Sequence, residues 1–128
     1  MGKARAEIEI EKPADEVWAV AGDFGGIGGW MPGIESCVVE GDDRILKMMG
    51  MEITERLVRR DDEKKVIVYG IVGGVTGVGH HEASISVAPK GNGSHVTWDV
   101  EVDPDEMTEM MQGIYQQSLQ AMKDHLGG

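Results

Sequence analysis

The sequence predicts an α+β fold in which a strongly bent antiparallel sheet grips one long C-terminal helix. Three observations carry this expectation. A strand pattern at the start is followed at once by two short helical segments. Six runs of strand character, separated by turn signals, then fill residues 34–102. The chain closes on an amphipathic run ending at Leu126. The predicted order is β-α-α-β-β-β-β-β-β-α. At 128 residues, with no internal repeat or linker, the chain reads as one domain over 1–128 with enough length to bury one core.

Residues 4–11 alternate, with Ala6, Ile8 and Ile10 on one face and Arg5, Glu7, Glu9 and Glu11 on the other. That period of two describes a half-buried strand. Pro13 suits the first turn of a helix, and Asp15 and Glu16 suit its positive end. Ala14, Val17, Trp18 and Ala21 supply its apolar stripe. Between Gly22 and Gly33 the chain is glycine-rich, yet Phe24, Ile27 and Trp30-Met31 keep helical spacing, which predicts a short, weakly helical element.

Strands are expected at about 34–40, 44–49 and 52–60, divided by Gly41-Asp42-Asp43 and by Gly50. Asp61-Asp62-Glu63 turns the chain into Val66–Val72, apolar on both faces and therefore central. Residues 73–79, GGVTGVG, read as a flexible loop. Strands at 81–88 and 95–102 follow, joined through Gly91-Asn92-Gly93. Asn92-Gly93-Ser94 matches a glycosylation sequon but reads as the hairpin turn.

At the C-terminus, Asp103 is placed to cap a helix, Pro104 to occupy its first position, and Glu106 to complete a capping box. Met107, Met110, Met111, Ile114, Tyr115, Ser118, Leu119, Met122 and Leu126 share one side of the helical wheel. A helix of this span runs roughly 33 Å and can lie across a whole sheet. A curved sheet and a straight helix cannot touch everywhere, so space should remain between them.

Composition narrows the function classes. Twenty-three acidic residues against 12 Lys plus Arg give a formal charge of −11, which repels phosphate backbones and anionic membrane surfaces. Nucleic acid is therefore not an expected partner. The single Cys37 cannot form an internal disulfide and reads as a small buried hydrophobe. The start, MGKARAEIEIEKP, has no apolar signal core, Ala6 stands where a myristoylation signal needs Ser or Thr, and no apolar run is long enough to span a bilayer. The expectation is a cytoplasmic protein with no integral membrane segment, a monomer or weak homodimer. GGVTGVG lacks a following Lys-Ser/Thr, so it is not read as a phosphate-binding loop, and no cofactor is expected.

The element order, together with EKPADEVW, DFGGIGGWMPGI, ITERL and VIVYGIVGG, resembles the helix-grip superfamily over essentially the whole chain. That group includes START lipid-transfer domains, birch-pollen-allergen-like proteins and bacterial polyketide cyclase/dehydrase-like proteins. The spacing of Trp18, Asp23-Phe24 and Trp30-x-Pro32 is most similar to the bacterial cyclase-like branch. The stretch ITERLVRRDDEKKVIVYGIVGG also resembles the abscisic-acid receptors of plants. The resemblance implies an internal cavity for a small, largely apolar molecule. It further implies a pocket position for Glu55 and a mobile lid role for loop 73–79. Met48-Met49-Gly50-Met51 replaces the receptors' proline-bearing gate, which argues against the same hormone switch.

Candidate site residues follow from which faces point inward. Glu55 alternates with Ile53 and Leu57, so its carboxylate faces apolar surroundings and must be paired, hydrated or protonated. It serves either as hydrogen-bond acceptor or general base for a ligand, or as the ion-pair partner of a neighbouring-strand arginine such as Arg44. His81 shares a face with Ala83, Ile85 and Val87 and is either an acid/base near a ligand or a satisfied inward histidine. His80 and His81 point to opposite faces, so no metal site is expected. Tyr69 and Ile71 share one strand face, and Tyr115 borders the apolar arc of the helix. The helix methionines suit an adaptable ligand surface or ordinary core packing. Ser118, mid-arc, needs a partner, either a carbonyl one turn back or a ligand. Trp30 is placed to close one mouth. Leu57, Val78, Met111 and Met122 complete the expected lining.

Three functions remain open on this reading. The chain carries or senses a small hydrophobic or amphipathic molecule such as a lipid, polyketide or aromatic compound. Alternatively, it is a polyketide cyclase/dehydratase-like enzyme using Glu55 or His81. Alternatively, it is a protein-partner module whose cavity is vestigial.

Overall fold

The computed structural model describes residues 2–75 and 77–128. Thr76, within the expected loop 73–79, lies outside them. The elements are β1 (Gly2–Ile10), α1 (Ala14–Ala21), a 3-10 helix over Phe24–Gly29, and six strands. These are β2 (Ile34–Glu40), β3 (Asp43–Met48), β4 (Met51–Asp61), β5 (Val66–Gly73), β6 (His80–Lys90) and β7 (Gly93–Asp103). A 3-10 turn over Asp105–Met107 leads into α2 (Thr108–Leu126). The seven strands form one antiparallel sheet in the order β1-β7-β6-β5-β4-β3-β2. This is the helix-grip architecture that the sequence predicts.

Strand pairing is interrupted once between β2 and β3, at Ile34 and Ser36, and twice between β4 and β5. In the latter pair the register slips between Thr54 and Glu55 and again between Leu57 and Arg59, leaving Val72 and Val58 as the unmatched residues. Bulged residues increase local twist and leave the ladder, and both valines are exposed. Helix α2 packs along β1 and β7, at one end of the curve. The far wall, β3 to β5, bends away from it.

The start of the last helix differs from expectation. Asp103 stays in the β7 ladder opposite His80, so its side chain does not cap a helix. The helix proper begins at Thr108, after the 3-10 turn, and no side-chain cap bond forms. Thr108 Oγ1 instead donates to the Asp105 carbonyl. Nineteen residues make α2 shorter than predicted, about 28 Å at 1.5 Å per residue. Its other end closes on left-handed Gly127, whose N–H donates to the Lys123 and Asp124 carbonyls. Pro13 precedes α1 rather than occupying its first turn.

The core lies between the concave face of the sheet and the helices. Val17, Val96, Val102, Leu119 and Met122 are completely enclosed. Among the described residues, no helix is long and apolar enough to cross a membrane.

Candidate functional site

Between the bent wall and α2 lies a cavity of about 150 Å³. Strand alternation builds it. Arg44, Leu46 and Met48 of β3, Met51, Ile53 and Glu55 of β4, and Tyr69 and Ile71 of β5 all project onto the concave face. His81 and Trp98 continue that face across β6 and β7, while Met110, Met111, Ile114 and Tyr115 close it from α2. Ile27, Met31, Met49, Val75 and Met107 complete the wall. Its mouth reaches the surface at Met49, Met51 and Met110, all exposed. Seven of the eight methionines among the described residues line this one space.

Polar groups gather at the closed end. Glu55 is directly across the ladder from Arg44, and both side chains are buried. Arg44 Nε donates to Glu55 Oε1 at 2.8 Å, its Nη2 lies 2.7 Å from the same oxygen, and its Nη1 donates to the Phe24 carbonyl at 2.8 Å. The guanidinium carbon also stands 3.9 Å from the centroid of the Phe24 ring and 4.7 Å from that of Tyr69. An arginine taken out of water needs this many partners. Glu55 Oε2 accepts no hydrogen bond from the described residues.

Beside this pair runs a hydrogen-bonded series. The Ile71 N–H donates to His81 Nδ1 at 3.3 Å, so a neutral ring carries its proton on Nε2. Nε2–H then donates to the Tyr115 hydroxyl at 3.0 Å. The Tyr115 hydroxyl lies beside that of Tyr69, which accepts from Trp98 Nε1 at 3.0 Å. The Trp98 and Tyr115 rings stack in parallel, 4.2 Å apart. Burial pushes His81 down to about 4, with the neighbouring His80 adding to the shift. Burial likewise raises both phenols well above their ordinary value. At neutral pH, His81 and both tyrosines are therefore uncharged.

The sequence-predicted residues divide. Glu55, Tyr69, Ile71, His81, Met111 and Tyr115 come together around the cavity. Ser118 does not reach it, and its hydroxyl donates to the Ile114 carbonyl one turn back. Met122 is enclosed in the core, and Leu57 is half-buried against that core. Trp30 is buried with its ring 6.0 Å from that of Trp98, leaving the neighbouring Met31 on the cavity wall. Val78 lines a separate depression beside the 73–79 loop, which shares Ile71, Val75 and His81 with the cavity. Sequence reasoning weighed Arg44 only as a partner for Glu55 and did not place Leu46, Met48, Met49 or Met51 on the wall. The strand phase that turned Glu55 inward also turns Ile53 and Met51 inward.

A shallower hollow on the outer face of the sheet is lined by Lys3, Arg5, Glu82, Asp99 and Glu101. Arg5 and Asp99 already satisfy each other there, as do Lys3 and Glu101. Such paired, wet surface offers a ligand little to gain.

The family model described as polyketide cyclase/dehydrase and lipid transport matches residues 1–127. Two solved structures from bacilli align almost end to end. An uncharacterised protein from Bacillus thuringiensis is 25% identical, with a TM-score of 0.90 and 98% of each chain covered. The protein XoxI from Bacillus cereus is 26% identical, with a TM-score of 0.92, covering 98% of this chain and 96% of its own. The crystal structure of Ara h 8.0201 shares the fold at 16% identity, with a TM-score of 0.79 and coverage of 97% and 96%. No curated protein matches the chain.

Proposed function

The chain belongs to the polyketide cyclase/dehydrase and lipid-transport family, and from that premise we propose that it carries or senses a small hydrophobic or amphipathic molecule held between the sheet and α2. The observation that carries this reading is the division of the cavity. Its mouth and walls are methionine and branched aliphatic side chains, and its polar groups are confined to one end. Apolar burial supplies affinity at roughly 25 cal/mol per Å² before ordering costs. The few polar groups at the closed end fix orientation. Flexible thioethers suit ligands of varied shape.

A second reading, a cyclase or dehydratase acting on a polyketide-like substrate, draws on the hydrogen-bonded His81–Tyr115 pair and the neighbouring Tyr69 hydroxyl, which are suited to polarising a ketone. It is the weaker of the two. His81 at about 4 is a poor base at neutral pH, and Arg44 already engages Glu55. A partner-binding module with a vestigial interior accords less well with open volume behind an exposed mouth.

Native mass spectrometry of gently purified protein, followed by extraction of any added mass, tests the proposal. The expected result is a discrete apolar adduct, or failing that, saturable binding of the neutral dye N-phenyl-1-naphthylamine that Ile71→Trp blocks. Clean protein that also ignores the dye would overturn it in favour of partner binding. Turnover of a polyketide-like substrate, lost in Glu55→Gln at unchanged affinity, would favour the enzyme.

A further inference from the structure

The charge state of the closed end restricts what the cavity admits. Among the described lining residues, Arg44 and Glu55 are the only two that carry charge at neutral pH, and they neutralise each other at 2.7 Å. The cation is further held by the Phe24 carbonyl and two aromatic faces, so it is not available as a counter-ion. The remaining polar groups are phenols and a neutral imidazole. An anionic ligand would have to shed its water without gaining an unpaired cation, and it would approach the carboxylate of Glu55. A hydroxyl meets the opposite situation. Glu55 lines the cavity, its Oε2 accepts nothing from the described residues, and a neutral O–H satisfies that oxygen without adding charge.

Size points the same way. An apolar cavity of roughly 150 Å³ holds a single ring of benzene dimensions, which is the volume found here. Anything longer must leave through the methionine mouth.

We infer that the cavity selects an uncharged, hydroxyl-bearing ring compound whose O–H donates to Glu55 Oε2, with any apolar tail leaving between Met49 and Met110, and that it rejects carboxylates of the same shape. This inference rests on the ligand-binding reading above and specifies its ligand class.

The test is competition against N-phenyl-1-naphthylamine at neutral pH, using 4-ethylphenol, 4-ethyltoluene and the 4-ethylbenzoate anion on the wild-type protein. The phenol is expected to bind at least about tenfold tighter than the benzoate, and several-fold tighter than the toluene. In Glu55→Gln the uncompensated Arg44 should shift the phenol-to-benzoate ratio toward the anion by tenfold or more. Equal or tighter benzoate binding to the wild type would overturn the inference, as would a Glu55→Gln protein that binds dye but keeps the wild-type ratio. Should Glu55→Gln fail to fold, the wild-type comparison decides alone. Dye binding without phenol binding sinks this inference and spares the cavity, whereas loss of all binding sinks the ligand-binding reading itself.

Discussion

Arg44 and Glu55 face each other across the β3–β4 ladder and share a buried ion pair in which both Nε and Nη2 reach the same carboxylate oxygen. The pair is costly to bury and more costly to break. Removing one partner from such a pair typically destabilises a fold by about 3–5 kcal/mol, whereas replacing both with apolar groups is often neutral. Glu55→Leu should therefore lower the urea midpoint strongly, and Arg44→Met combined with Glu55→Leu should recover most of the loss. A double variant no more stable than the single would mean that Arg44 acts through Phe24 and Tyr69 rather than through Glu55.

His81 makes stability depend on pH over a defined window. In the unfolded chain the ring titrates near its ordinary value of 6.5, whereas burial pushes it down to about 4 in the fold. Between those values the unfolded state binds the extra proton. The contribution is thus intact above 6.5 and is lost progressively as pH falls toward 4. The full loss is about 3 kcal/mol. Because paired surface carboxylates also titrate at the acid end, the measurement is a difference, comparing urea midpoints of wild type and His81→Gln from neutral pH to 4. The two curves should converge as pH falls. Parallel curves would place the His81 ring in water.

Close approach of two strands at Gly70 holds the His81 ring where it is. A Cβ on Gly70 would stand 2.5 Å from the His81 carbonyl oxygen, a backbone atom that can move only with its strand. Gly70→Ala should cost about 1–3 kcal/mol and displace His81 from Tyr115. The imidazole NMR signals would then titrate closer to an ordinary histidine. Unchanged titration in a stable Gly70→Ala protein would show that β6 yields there without moving the ring.

Much of the fold was legible because alternation and amphipathicity are local. The phases of Arg44 to Met48, Met51 to Glu55 and Tyr69 to Ile71 can be read from the chain, and they decide what faces the cavity. Ser118 and Met122 show where this reading stops. A helical wheel identifies the apolar side of α2, but the sheet's curvature divides that side between packing on β1 and β7 and the open space beside β3 to β5. Arg44 was visible only as a possible partner for Glu55, because an arginine in a strand ordinarily marks a wet face. Asp103 failed as a cap because its pairing with His80 keeps it extended, a long-range demand that a local capping pattern does not contain.

The methionine mouth should make ligand binding sensitive to oxidation. Met49 is 73% exposed, Met110 53% and Met51 41%, whereas Met111 and Met122 are buried. Peroxide transfers an oxygen to an accessible thioether and leaves a polar sulfoxide. Peptide mass mapping under limiting hydrogen peroxide should find Met49 and Met110 oxidised first and Met122 last. Since those sulfurs border the path into an apolar cavity, affinity for N-phenyl-1-naphthylamine should fall several-fold in step with their oxidation. Leucine at positions 49, 51 and 110 keeps the apolar surface and removes the reactive sulfur, so that triple variant should bind the dye normally and keep binding it after peroxide. If the variant loses affinity under peroxide as fast as the wild type, the damage lies elsewhere than the mouth.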